Sequence, residues 1–332
     1  MTWNVRDLPQ PTEDLDRARQ DIDHWGYCLL ENALPAALND RCMARLDEQA
    51  AAEKQFGEAF EDGGPKQQWG AFRDADGRLR ADAFKAENGG INQRVWMLVN
   101  KGACFIEALE QDRVNELVGH VLGDEFLVSS FSANIAKPGG VKMPLHTDQW
   151  WAPEPTRAMR RNLPVGSMTR STFDCDETID DDNREMIAPA ACSNVLYMLN
   201  GMTEENGGTR IVPGSHRAGR HPDPERDKDV ETVAAVGPPG CAIITDGRVW
   251  HGTGANIGNT ERHAMILTLC GPQYRAQENY TVGTRPEVLA TLSDETKARL
   301  GFKVWWGYGR TGDPTVEYID QDAPAIGEMR PN

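Results

Sequence analysis

The chain is 332 residues long, 39% apolar and 26% charged, the balance of a soluble globular protein with ample core. Its formal charge of −16 argues against phosphate-backbone partners, so no nucleic-acid role is expected. No apolar run of about 20 residues is present to span a membrane, and the opening Met-Thr-Trp-Asn-Val-Arg-Asp lacks the basic and apolar stretches of a signal peptide.

In chain order, residues 12–24 predict a helix opened by Thr12, with acidic residues in its first turn. Residues 26–30 predict a short strand. A second helix over about 35–54 takes Pro35 as its first position and repeats Leu38, Cys42, Leu46 and Ala50 at helical spacing. Residues 56–90, rich in glycine and charge, read as loop. Strand character returns over 93–100, and 103–122 read as one or two amphipathic helices with His120 on their surface. From 126 the pattern turns β-rich: 126–136 runs through Lys137-Pro-Gly-Gly140 into a strand around His146.

Residues 152–190 are long, polar and irregular, which marks either a functional segment or a disordered insertion, and their place directly after the His146 strand favours a lid. Short strands follow at 193–199, 209–216, 230–236, 240–246 and 262–270, with a short helix near 294–300. Many short strands between Gly- and Pro-rich turns predict an antiparallel sandwich or barrel. The expectation is one domain over 1–332: a mostly helical flank (1–122), a β-core (123–280) carrying 152–190 as its lid, and a C-terminal segment (281–332). The seven cysteines (28, 42, 104, 175, 192, 241 and 270) are scattered without a Cys-x-x-Cys pair, which reads as reduced thiols in a cytoplasmic protein.

The candidate chemistry centres on Met143-Pro-Leu-His-Thr-Asp-Gln-Trp-Trp151. On a strand, His146 and Asp148 point to one face, so an imidazole and a carboxylate can converge on one cation. About a hundred residues on, Asp246-Gly-Arg-Val-Trp-His-Gly-Thr253 supplies His251. Two histidines and one carboxylate on one side of an ion form the facial set of non-haem Fe(II) oxygenases, which leaves positions open for a co-substrate and O2. Among 7 His and 51 Asp and Glu, a His-x-Asp tripeptide alone is also what a solvated surface turn provides.

Arg262 lies eleven positions past His251, at the start of an apolar strand where it shares a face with Ala264, Ile266 and Thr268. A buried arginine needs an anion, either a bound carboxylate or an internal Asp or Glu. Thr253 could add a hydroxyl to the same carboxylate or be an ordinary loop threonine. Asn134 could donate an amide to a bound oxo-acid or be a satisfied residue of the sheet. Trp150 and Trp151 could wall a site or pack a core. Arg157, Arg160 and Arg161 could meet an anionic substrate or form a solvated face.

Taken together, Gly26-Tyr-Cys-Leu-Leu-Glu31, Leu145-His-Thr-Asp-Gln-Trp-Trp151, Glu205-Asn-Gly-Gly-Thr-Arg-Ile-Val-Pro-Gly-Ser-His216, Trp250-His-Gly-Thr-Gly-Ala-Asn256 and Arg262 resemble the phytanoyl-CoA dioxygenase family of Fe(II)/2-oxoglutarate-dependent oxygenases. The resemblance spans most of the chain. It implies a mainly β fold with flanking helices around a double-stranded β-helix (jelly-roll, cupin-like) core. It also implies His146, Asp148 and His251 as iron ligands, with Arg262 and Thr253 on the carboxylate of 2-oxoglutarate and O2 as co-substrate. His216 falls in a recurrent structural turn of the family. The implied reaction is hydroxylation of an unactivated C–H bond of a small organic substrate, with decarboxylation of 2-oxoglutarate to succinate. Family halogenases replace the metal carboxylate with a small residue, so Asp148 favours hydroxylation. The competing readings are another metal-dependent cupin-type enzyme (a hydrolase or a cofactor-free dioxygenase) and a non-catalytic binding protein on the same fold. No oligomeric state is implied.

Overall fold

The structure, a computed structural model, describes residues 3–62, 91–149 and 189–304, with the isolated positions 76, 78, 309, 311 and 316–318. Seven strands form an antiparallel sheet in the order β1 (Tyr27–Leu30), β8 (Ala242–Asp246), β5 (Cys192–Met198), β10 (Arg262–Cys270), β4 (Leu127–Ala136), β3 (Asn92–Val95) and β2 (Phe60–Asp62). A smaller sheet orders β7 (Val233–Ala234), β6 (Thr209–Ile211) and β9 (His251–Thr253). The helices are α1 (Leu15–Trp25), α2 (Ala36–Phe56), α3 (Ala103–Leu109), α4 (Asp112–Leu122), α5 (Tyr280–Gly283), α6 (Pro286–Leu289) and α7 (Asp294–Arg299). None of the described helices is long and apolar enough to cross a membrane.

Strand alternation divides the core in two. Cys28, Leu30, Val195, Tyr197, Ile244, Met265 and Leu267 face α1–α4 and pack with Leu38, Cys42, Leu46, Phe105 and Leu117. The intervening residues Tyr27, Leu29, Met198, Ile243 and Ala264 face the smaller sheet, where they meet Ile211, Ala235 and Val249. The large sheet is therefore covered on both faces, by helices on one and by the second sheet on the other. The face turned to the second sheet carries Arg262, two positions before Ala264, and Asn134, which sits opposite Ala264 in the β4–β10 ladder.

Several boundaries differ from expectation for local reasons. Asp14, not Thr12, caps α1, accepting from the amides of Asp16 and Arg17; Thr12 is held instead by Leu29 and Glu31 beside β1. Pro35 stands one place earlier than expected, as the residue before α2. The expected strand over 93–100 stops at Val95. Met97 turns the chain with φ 53° and donates its amide to Glu278, so 98–100 becomes a 3-10 turn. Residues 103–122 form two helices broken after Leu109, and the strand expected over 230–236 is only two residues long. Within 56–90, read as loop, Phe60–Asp62 pairs with β3. The six described cysteines are all free and buried.

Phe131 lies at the centre of the helix-covered face, fully buried and edge-on to Phe105 at 6.5 Å. Phe131→Ala is expected to cost about 3–5 kcal/mol, the range for truncating a core aromatic, measured by urea unfolding. A cost under about 1 kcal/mol would contradict this placement of the core.

Candidate metal centre

The stretch around His146 is not a regular strand. Between residues 141 and 149 only His146 makes a ladder pair, exchanging both backbone hydrogen bonds with His251 of β9 at 2.9 and 3.0 Å. The rest of the segment is held by scattered anchors. The amide of Met143 donates to the Thr253 carbonyl at 2.9 Å, and that of Asp148 to the Gly247 carbonyl at 3.0 Å. Arg210 of β6 reaches across to donate to the Met143 carbonyl at 2.9 Å. It crosses β9 opposite Gly252, where a Cβ would meet the Met143 and Pro144 oxygens at 2.8 and 3.0 Å. Glycine is required there because the backbones come this close.

Direct pairing of His146 with His251 sets their rings side by side, tilted by 49° at a centroid distance of 4.5 Å. Each imidazole places Nδ1 against the carbonyl two residues before it, Pro144 at 3.0 Å and Val249 at 3.1 Å. A carbonyl only accepts, so Nδ1 carries the hydrogen and Nε2 is turned toward Asp148. Asp148 Oδ1 lies 3.6 Å from His146 Nε2, and Oδ2 lies 3.1 Å from His251 Nε2. One ligand atom from each of the three residues lies within 4.8 Å of the others, a spacing that could hold a metal ion.

The electrostatics suit a cation. Burial disfavours charge on His146, and the neighbouring His251 adds to this, so its pKa falls below the ordinary 6.5. Burial alone would raise Asp148, but His251 and His146 outweigh it and hold the carboxyl at about 2. For His251 burial again opposes charge, and Asp148 outweighs it, so its pKa is raised. The proton drawn to this pair is the one a divalent cation displaces on binding.

Arg262, at the start of β10, is 1% exposed and its Nε and Nη2 have no hydrogen-bond partner among the described residues. No described carboxylate pairs with it. Burial, and then the charge of Arg94, push its pKa down to about 10. Asn134 is buried with an unpartnered Oδ1 on the same sheet face. Thr253 lies two residues past His251 on β9, and so on the same strand face. Trp150, Trp151, Arg157, Arg160 and Arg161 lie outside the described residues, as does all of the 152–190 lid except its last two positions. Gln149 ties the chain on either side of that segment: its amide accepts from the Ala191 amide at 2.9 Å and donates to the Pro189 carbonyl at 3.3 Å.

His120 and His216 stand apart from the triad. His120 pairs with Asp23 at 2.7 Å near the surface, and His216 is buried in a 3-10 turn with Nε2 donating to the Asp23 carbonyl at 3.2 Å.

Two residues of the site were missed in the sequence. Arg94 on β3 faces Asn134 across the ladder, and its Nε donates to Asp62 at 3.1 Å. Its charge reaches His146, Asp148 and Arg262. Asn194 on β5 donates through Nδ2 to Asp148 Oδ2 at 2.5 Å. Asn194 is the lone amide in the strand-like run 192–198, and Arg94 the lone charge of β3, which were the available signals.

A family model described as phytanoyl-CoA dioxygenase matches residues 22–264. Dioxygenase af480 of Aspergillus fumigatus is 30% identical over 328 residues, covering 97% of this chain and 86% of its own. The multifunctional dioxygenase prhA of Penicillium brasilianum is 24% identical over 247 residues, 66% of this chain and 71% of its own. Among solved structures, the epimerase SnoN in complex with Fe3+, alpha ketoglutarate and nogalamycin RO is similar with a TM-score of 0.53 at 15% identity, covering 92% of this chain and 94% of that one. HygX from Streptomyces hygroscopicus, with nickel, 2-oxoglutarate and hygromycin B bound, gives 0.53 at 13% identity over 78% and 88%. At these identities the two structures speak for the fold, a jelly-roll core with flanking helices, as expected from the sequence.

Asp148→Ala is expected to weaken Fe(II) binding, measured by anaerobic equilibrium dialysis, by more than the about 10–100-fold that outer partners of a metal site cost. The metal-free melting temperature should move by only a few degrees. In the unaltered protein the affinity should rise with pH through the His251 titration, since binding expels its proton. Undiminished binding in Asp148→Ala would remove the carboxylate from the ligand set.

Proposed function

The chain belongs to the phytanoyl-CoA dioxygenase family, and we propose that it is an Fe(II)- and 2-oxoglutarate-dependent dioxygenase that hydroxylates an unactivated C–H bond of a small organic molecule. His146 and His251 would hold the iron through Nε2, and Asp148 through one carboxylate oxygen. Iron bound there supplies the activation of O2, coupled to decarboxylation of 2-oxoglutarate to succinate. The carboxylate at 148 fills the position that a halide would need, which favours hydroxylation.

The observation that carries the co-substrate assignment is Arg262. An isolated buried guanidinium costs several kcal/mol of desolvation unless an anion meets it. Among the described residues the charge it feels is another arginine, Arg94. A dicarboxylate answers that deficit: Arg262 takes one carboxylate in its planar fork, with Thr253 and the Asn134 amide as further polar partners. Arg94, whose Nε is held by Asp62, adds positive charge to the same region. Arg262 is 1% exposed on the sheet face turned to the second sheet, which keeps water from competing for these contacts.

This assignment extends to the whole chain, residues 1–332 acting as one cytoplasmic oxygenase unit. Choice of substrate is assigned to residues 152–190, which the sequence predicts as a lid, with Trp150, Trp151, Arg157, Arg160 and Arg161 as the candidate contacts.

Arg262→Ala is expected to weaken 2-oxoglutarate binding to the Ni(II)-loaded protein by about 2–5 kcal/mol, the loss on truncating one partner of a buried charge pair. Ni(II) affinity should stay unchanged, and both can be read by calorimetric titration under argon. Equal losses of metal and 2-oxoglutarate would mean a folding defect and would withdraw Arg262 from the co-substrate site.

A further inference from the structure

We infer that Asn194 is a positioning residue of the metal centre, clamping Oδ2 of Asp148 so that the carboxylate offers its other oxygen to the ion. This rests on the reading that His146, Asp148 and His251 hold a divalent metal.

Asn194 sits on β5, 2% exposed, on the sheet face turned away from the helices. It lies directly opposite Thr245 of β8 and Thr268 of β10, and Thr268 lies opposite Ser130 of β4. Four adjacent strands thus contribute one polar row across a face whose next row is Ile243, Leu196, Ile266 and Ser132. Within that row Asn194 is the residue that reaches the triad, with Nδ2 at 2.5 Å from Asp148 Oδ2.

The orientation of the amide follows from charge. A carboxylate held ionised accepts from an N–H and repels an amide oxygen, so Nδ2 must face Asp148. Oδ1 is then left buried without a partner among the described residues. A buried amide that is only half satisfied is poorly placed as an ordinary core residue. Its orientation is explained by the bond it makes to the metal carboxylate.

The consequence is coordinative. Oδ2, 3.1 Å from His251 Nε2, already accepts from Asn194, whereas Oδ1, 3.6 Å from His146 Nε2, has no amide donor among the described residues and is the oxygen left for the ion. A carboxylate binding through both oxygens would occupy one more coordination position. The open positions of a facial triad are those that a chelating co-substrate and O2 require. Asn194 therefore preserves the vacant face without touching metal or substrate.

The test uses the full-length protein, Co(II) as the probe, and three variants. Asn194→Leu keeps the size and removes the donor, and Asn194→Ala repeats the removal in a side chain that fits wherever asparagine does. Thr245→Val alters the equally buried neighbour that does not contact Asp148. Co(II) affinity is expected to fall roughly tenfold or more in both Asn194 variants, as for loss of other outer partners of a metal site, and to stay within about twofold in Thr245→Val. The d–d absorption of bound Co(II) should change shape in the Asn194 variants alone. Wild-type affinity or an unchanged spectrum in both Asn194 variants would overturn the inference, as would an equal loss in Thr245→Val. Failure of the unaltered protein to bind Co(II) would instead sink the metal-site reading itself.

Discussion

The two backbone hydrogen bonds between His146 and His251 are the contact on which the rest of the site depends. They join a segment with almost no ladder of its own to a three-residue strand about a hundred positions later in the chain. Once that pair forms, both imidazoles stand side by side, and Asp148 is carried in by its own anchor to Gly247. Each histidine then fixes its tautomer with the carbonyl two residues earlier. Order is imposed from outside the segment, by Arg210 reaching over Gly252 and by Thr147 hydrogen-bonded to His221 at 2.6 Å. The turn after β6 adds a further brace: Ser215 accepts from the Trp250 amide, and Arg220 lies 4.6 Å above the Trp250 ring.

The second constraint is electrostatic. Arg262 is placed by strand alternation on the buried sheet face turned to the second sheet, and Arg94 is the neighbouring charge it feels. Two like charges here are tolerable because Arg94 shares its charge with Asp62, whereas Arg262 has no such relief among the described residues. A buried guanidinium without a carboxylate partner is costly, which is the ground for the proposed anion site. The carboxylate of the triad, held ionised by the two histidines, supplies the opposite sign at the metal position. His146 and Asp148 come from the segment after β4 and His251 from β9, whereas Arg262 comes from β10.

The parts of this arrangement legible in the sequence were those with a periodic or motif signal. The apolar alternation of β10 ran from Arg262 to Cys270 in the structure as expected, because a central strand buried on both faces leaves little choice of register. His146, Asp148 and His251 were legible as a set, although the reason first given for their convergence, a regular strand through 146–148, does not hold. Tertiary anchors do that work. What local pattern could not show were events decided by distant partners. Thr12 lost the cap of α1 to Asp14 because Leu29 and Glu31 claim its backbone. Met97 ended β3 because Glu278 takes its amide. Arg94 and Asn194 were hidden for the same reason: their neighbours at the site come from β4, β10 and the His146 segment, none adjacent in sequence.

The most direct test of the central claim is an anaerobic titration of the metal-free protein with Fe(II), with and without 2-oxoglutarate, followed in the visible range. A metal-to-ligand charge-transfer band that requires both components is the predicted result, because chelation by an oxo-acid needs an open face on the iron and an anion site beside it. Stoichiometric Zn(II) binding without any such band would contradict the account, and would recast the same three residues as the ligands of a hydrolytic or structural ion.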